Sequence, residues 1–462
     1  MANRTEKDFL GEKEIPDSAY WGIHTQRGLE NFPASGQKVR SCLIKALAMV
    51  KKACCLANSE LGYLENKKSE AMLRACDEII AGGFAGEFPL DALQGGAGTS
   101  TNMNVNEVVA NRAIELLGGK KGDYRLVNPI EDVNLHQSTN DVYPTALKVA
   151  CILLLRSLSA EIASLQQSFQ QKEKEFAGVV KIGRTEMKEA VPITMGAEFS
   201  AFAEAIARDR WRTFKCEERI RVVNLGGTAV GTGLTAPRKY IFLATEKLRE
   251  ISGLGLSRAE NMIDATANQD AFVEISGILK AHAANLIKIA NDLRLMNLLG
   301  EIELVELAAG SSIMAGKVNP VMLEAVIQSG MQVIANDFLV TQTVSSASMQ
   351  INEFMPLLAN SILGSLEGLI SVNPVFSGHI NGLRANAERC REYLDRSPAI
   401  ITPFLPHIGY DQANILLKEF SSSGKQSLRD FLADKLGKEL VDNVLLPQNI
   451  VSLGYRKDEK NP

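Results

Sequence analysis

Four short stretches concentrate Ser, Thr, Asn and Gly beside helical patterns. They are Gln94-Gly-Gly-Ala-Gly98-Thr99-Ser-Thr-Asn102, Gln137-Ser138-Thr139-Asn140-Asp141, Gly183-Arg184-Thr185-Glu186, and Gly310-Ser311-Ser312-Ile-Met-Ala-Gly316-Lys317-Val-Asn319-Pro320. Glycines let backbone N–H groups converge, and hydroxyls and amides add uncharged donors. Neutral donors at helix starts, with a single lysine, suit carboxylates. Phosphate is the competing ligand, but Gly310 and Gly316 are one residue too far apart for a phosphate-binding loop, and Val318 follows the lysine where Ser or Thr is needed. Taken singly, each stretch reads equally well as helix N-capping. The functional reading rests on all four together. No His, Cys, Asp or Glu spacing suggests a metal, and the seven cysteines contain no C-x-x-C pair, as expected of reduced core thiols.

The elements that must position these stretches are long helices. An apolar seam runs Phe272, Ile275, Leu279, His282, Leu286, Ile289, Leu293, Met296, where His282 reads as a core histidine. A second helical pattern extends from Pro144, placed as a first-turn proline, through Leu147, Cys151, Leu154, Leu158, Ile162, Leu165 and Phe169. A third follows Pro192 to about Val223, where Gly226-Gly-Thr-Ala-Val-Gly-Thr-Gly233 stops it. Two more begin after Pro320 and near Ile351. Five helices of roughly 25 to 35 residues predict a mainly all-α bundle whose surplus apolar surface is covered by homo-oligomerisation.

Shorter segments precede this region and a change of character follows Asp395-Arg-Ser-Pro398, which predicts three domains: 1–139 amino-terminal, 140–395 central bundle, 396–462 small carboxy-terminal. The tail 456–462 is expected to fray. With 50 Lys+Arg against 54 Asp+Glu, the formal charge of −4 gives no field to hold nucleic acid or an anionic membrane. The longest strictly apolar run, 149–155, is far short of a bilayer span, and the charged start lacks a signal-peptide core. A cytoplasmic protein is expected.

The stretch Gly310–Pro320 resembles the signature loop of the fumarase and aspartase superfamily, differing only at Ala315, where the family has proline. Gly98-Thr-Ser-Thr-Asn-Met-Asn-Val-Asn-Glu107, Gln137–Asp141, Gly183–Thr185 and Gly226–Gly233 match in the same order. So do Glu6–Pro16, Trp21–Arg27 and Pro406-His-Ile-Gly-Tyr410, which extends the similarity almost end to end. The resemblance implies three-domain subunits, a homotetramer with a twenty-helix core, and active sites each shared by three subunits. It implies a small dicarboxylate substrate and no cofactor. Members that eliminate ammonia from L-aspartate, giving fumarate through an aci-carboxylate, look most similar. Addition of a different amine to fumarate, hydration of fumarate, and a catalytically silent structural relative are the alternatives.

By the same resemblance Ser311 is the proton-abstracting base. Thr99, Ser138, Thr139 and Ser312 surround the carboxylate that gains charge, while Thr185, Lys317 and Asn319 hold the other. Asn140 contacts the leaving amine. Glu186 stands where the family has His or Gln; in hydratases that histidine serves the leaving hydroxyl, so a carboxylate there argues for a carbon–nitrogen lyase. His136, where relatives carry a small residue, reads as a capping or supporting histidine.

Overall fold

The computed structural model describes residues 2–454, so the tail 456–462 lies outside the described residues. Strands β1 (Asn3–Asp8) and β2 (Gly11–Pro16) form an antiparallel ribbon, followed by helices α1 (Ile23–Asn31), α2 (Ser41–Glu60), α3 (Asn66–Ile80) and α4 (Thr99–Leu116). Helix α1 has no capping side chain at Gly22, which leaves orphan N–H groups at its start. Two carboxylates from other segments accept them. Ile23 N donates to Glu6 Oε2 (2.9 Å) and His24 N to Glu107 Oε1 (2.7 Å), while Gly22 N (2.9 Å), Thr25 N (3.1 Å) and Thr25 Oγ1 (2.6 Å) converge on Glu107 Oε2. Glu107 is buried midway along α4, so this carboxylate ties the amino-terminal segment to the helix that begins at Thr99.

Helix α5 (Thr139–Glu175) has 37 residues and starts five residues before Pro144, which lies inside it. A proline there cannot donate to the carbonyl four residues back. Asn224 Nδ2 donates to the Asn140 carbonyl instead, at 2.9 Å, and this buried amide from a distant segment lets the helix run through its proline. After α5 come an antiparallel ribbon of β3 (Val180–Thr185) and β4 (Lys188–Thr194), then α6 (Met195–Cys216). Pro192 therefore belongs to a ribbon strand, and the helix expected from it begins at Met195. It also ends seven residues before Val223, because Val222–Val223 (β5) pairs in parallel with β6 (Ser257–Arg258) across α7 (Arg238–Ser252).

Helix α8 (Met262–Ala267) leads into α9 (Asp270–Leu298), where every position of the expected seam from Phe272 to Met296 is buried, His282 included. The short strand β7 (Ile302–Glu303) and the loop after it precede α10 (Val321–Ser345) and α11 (Met355–Gly382). Strand β8 (Arg384–Ala385) pairs back to β7, and α12 (Ala387–Arg396), α13 (Leu405–Ser423) and α14 (Leu428–Leu436) follow. The five long helices span 22 to 37 residues, a wider range than the sequence suggests. Helix α11 is long and apolar enough to cross a bilayer by composition alone, but 61% of that window is buried in protein.

The described residues divide into two compact units: 2–159, 211–283 and 331–370 form one, and 160–210, 284–330 and 371–454 the other. The second unit has a core of Ile182, Leu394, Ile400, Phe404, Leu428 and Leu432. In the same unit Phe169 meets Phe199, Phe202 and Phe376 with ring centroids 5.9–6.2 Å apart, tilted or edge-on as aromatic quadrupoles prefer.

Replacing Glu107 with glutamine turns an N–H donor toward a site built from donors. Glu107→Gln is expected to destabilise the protein by about 2–4 kcal/mol in urea unfolding, and a change below about 0.5 kcal/mol would remove Glu107 as the anchor of α1.

Candidate active site

Thr99 opens α4 directly after Gly98, which adopts φ 91°, and a Cβ at Gly98 would lie 2.4 Å from the Tyr143 ring. Only glycine fits so tight a turn. The turn is braced by Gln94, whose Nε2 donates to Thr101 Oγ1 (2.8 Å) and whose Oε1 accepts Thr101 N (3.1 Å). Thr99 itself is exposed, its hydroxyl donating to the Gly96 carbonyl at 2.7 Å. Asn102, one turn on, donates to Thr139 Oγ1 at 3.2 Å. Thr99 and the Ser138–Asn140 stretch thus belong to one local group.

Asp141 shapes that second stretch. Its Oδ1 accepts Ser138 N (3.0 Å), and its Oδ2 accepts Gly226 N and Thr228 N (3.0 Å each), fastening the helix start to the glycine cluster. Asn140 N donates to Ser138 Oγ (3.2 Å), and Asn140 Nδ2 to the Ala229 carbonyl (2.8 Å). Buried Lys51 donates to Asn134 Oδ1 (2.9 Å) and Gln137 Oε1 (2.8 Å), and Asn134 Oδ1 also accepts from Asn102. Burial lowers the Lys51 pKa to about 8. The cavity against Thr139 and Asn140 has about 10 Å³, room for a single water and not for a four-carbon diacid. His136, at φ 62°, bonds Asn58 Oδ1 through Nδ1 (2.7 Å) and packs between the Tyr63 and Tyr240 rings, a supporting position.

The loop from Gly310 to Asn319 closes on itself. Gly310 N donates to the Lys317 carbonyl (2.8 Å) and Asn319 Nδ2 to the Gly310 carbonyl (2.7 Å). A Cβ on Gly310 would meet that same Lys317 oxygen at 2.5 Å. Within the loop Ser311 Oγ accepts two backbone N–H groups, from Met314 at 2.8 Å and Ile313 at 3.2 Å. Two fixed donors aimed at a hydroxyl oxygen are what an alkoxide needs. Ser312 and Lys317 are exposed, and Ser311 and Asn319 are partly so.

Thr185 ends β3, and Glu186 and Met187 make a two-residue turn with φ 52° and 62°. Such hairpin turns favour Asn and Gly, so Glu186 and Met187 sit there under mild strain. Thr185 and Glu186 are both exposed, and Glu186 meets no cation among the described residues. The ten expected site residues therefore fall into three local groups, Thr99 with 138–140, Thr185 with Glu186, and 311–319. Lys51, Asn134 and Asn224 support the first group without any signal in the local sequence. Among the described residues no cluster of three or more His, Cys, Asp or Glu could hold a metal.

Burial raises the Asp141 pKa to about 6, against the pull of three backbone N–H groups and Lys51. Between the ordinary value of 3.8 and 6 the folded state holds a proton that the unfolded state has lost, so the stability Asp141 contributes is full below pH 4 and falls as pH rises through 6. The advantage of wild type over Asp141→Asn in urea unfolding is expected to shrink by about 2 kcal/mol from pH 4 to pH 7. A pH-independent difference would contradict this assignment.

The family described as lyase matches residues 11–335. The aspartate ammonia-lyase of a Bacillus species is 44% identical over 460 residues, 98% of each chain. Among solved structures, the fumarate lyase:delta crystallin of Brucella melitensis bound to cobalt has a TM-score of 0.93 and 43% identity, covering 98% of this chain and all of that one. Class II fumarase of Schistosoma mansoni has a TM-score of 0.90 and 32% identity, covering 97% of this chain and 99% of that one. With its signature loop at 310–320 and this similarity along nearly its whole length, the chain belongs to the lyase family of the fumarase and aspartase superfamily.

Proposed function

We propose that the chain is an aspartate ammonia-lyase, catalysing reversible anti elimination of ammonia from L-aspartate. The observation that carries the mechanism is the pair of backbone N–H groups aimed at Ser311 Oγ. They stabilise an ionised serine, which takes a proton from the carbon beside one substrate carboxylate. The C–H electron pair moves into that carboxylate as an aci-carboxylate, then returns to form the double bond of fumarate as ammonia leaves the neighbouring carbon.

Thr99, Ser138, Thr139 and Ser312 donate to the group that becomes doubly charged, where oriented neutral donors lower the barrier most. Thr185, Lys317 and Asn319 hold the carboxylate whose charge stays constant, fixing orientation. Asn140 contacts the departing amine. Ala315 leaves the Ser311 loop freer before closure than proline would.

Each site is completed by three subunits of a homotetramer, with domains 1–139, 140–395 and 396–462. Two features support assembly. The cavity at Thr139 is too small for the substrate, and the long helices expose Leu298 (81%), Met331 (58%) and Phe338 (63%) to solvent in the single chain. Seven free cysteines, six of them buried, fit a reducing cytoplasm.

Two variants test the reading. Ser311→Ala should keep its oligomeric state and lose at least about a thousandfold in kcat on L-aspartate; a loss under tenfold would remove serine as the base. Exposed Glu186 adds negative charge near a dianionic substrate, so Glu186→Gln should leave kcat/KM for L-aspartate unchanged or raise it up to about tenfold. A tenfold loss would favour a second reading, in which Glu186 holds the ammonium of the substrate.

A further inference from the structure

The Thr185 hairpin is held from below by charge. Strict alternation along β3 would put Lys181 and Arg184 on opposite faces. A bulge at Gly183, between Ile182 and Arg184, shifts the register with β4 and turns both cations to one side. There Lys181 Nζ lies 2.7 Å from Glu301 Oε2, and Arg184 Nη1 lies 2.5 Å from Glu301 Oε1. Glu301 is wholly buried. Lys181, also buried, reaches Glu198 at 2.7 Å as well, and the Arg184 guanidinium carbon lies over the Tyr393 ring, 5.2 Å from its centroid. Ile182, on the opposite face from Lys181, enters the apolar core of this unit. The next residue after Arg184 is exposed Thr185.

Glu301 is itself fixed. Its carbonyl accepts Asn386 N at 2.9 Å, and β7, which begins at the next residue, pairs with β8. The same strand is the root of the loop carrying Ser311. Burial works against the Lys181 charge, but Glu198 and Glu301 outweigh it and raise its pKa. A buried ion cluster of this kind adds little stability over an apolar equivalent. What it does supply is direction: both cations of the bulged strand meet at one carboxylate.

We infer that Glu301 is a positioning residue for the lyase site, fixing the bulged hairpin through Lys181 and Arg184 so that Thr185 faces outward toward the substrate carboxylate. The inference rests on the reading of Thr185 as a carboxylate ligand. Because that carboxylate keeps its charge through the reaction, a loosened hairpin weakens substrate and transition state alike.

In the full chain, Glu301→Gln should raise KM for L-aspartate about 10- to 100-fold with kcat within about threefold. Glu301→Asp, which restores the charge, should recover part of the loss. Amide hydrogen exchange across residues 183–191 should accelerate at least about tenfold in Glu301→Gln while the long helices stay protected. Should Glu301→Gln fail to fold, Arg184→Lys carries the test: it keeps the ion pair, gives up the guanidinium contact with the Tyr393 ring, and should raise KM at least about threefold with faster hairpin exchange. A KM less than about threefold above wild type, or unchanged hairpin exchange, overturns the inference. Exchange needs no substrate, so wild-type protein inactive on L-aspartate would defeat the aspartate ammonia-lyase reading while the anchor is still judged by exchange.

Discussion

Buried carboxylates that accept donors from distant stretches of the chain are the constraint on which the rest of this structure depends. Glu107, Asp141 and Glu301 are each at most 1% exposed. A carboxylate has room for about four hydrogen bonds and is costly to bury with fewer. Glu107 accepts the start of α1 and holds it to α4, the helix that presents Thr99. Asp141 closes the turn before α5 onto the glycine cluster. Glu301 takes both cations of the bulged hairpin at the root of the Ser311 loop. Asp141 follows Asn140 directly, Glu301 pairs with the neighbour of Thr185, and Glu107 lies on the helix that Thr99 opens.

The chemistry explains why so many anchors are needed. Elimination through an aci-carboxylate places two negative charges on one small group, and donors help only if they are already in place when the charge arrives. Neutral hydroxyls and amides on loops would wander without support, because loops are the mobile part of a fold. Here Ser138–Asn140 open a helix tied by buried Asp141, and Thr185 ends a strand tied by buried Glu301 through Arg184. The Ser311 loop is the most exposed of them, with Ile313 at 89%, which suits a segment that closes over its ligand.

Much of the candidate site can be named from the sequence, because its residues are local. Ser311, Lys317 and Asn319 fall within one loop, and Ser138, Thr139 and Asn140 are consecutive. The anchors were not legible, because their contacts span the chain: Glu107 reaches Gly22 across 85 residues, Asn224 reaches Asn140 across 84, and Arg184 reaches Glu301 across 117. The same separation explains the misplaced helix starts. Pro144 read as a first-turn residue because its replacement donor, Asn224, lies far away, and Pro192 read as a helix start because the pairing of β3 with β4 is tertiary. The apolar seam of α9 needed no distant partner to be seen, since its periodicity alone marks the buried face.

The most direct test is wild-type turnover, following fumarate by its ultraviolet absorbance with L-aspartate and, in parallel, L-malate. The account predicts fumarate from L-aspartate and none from L-malate. Fumarate from L-malate would make the chain a hydratase despite Glu186, and silence with both substrates would contradict the ammonia-lyase assignment while leaving the family and fold in place.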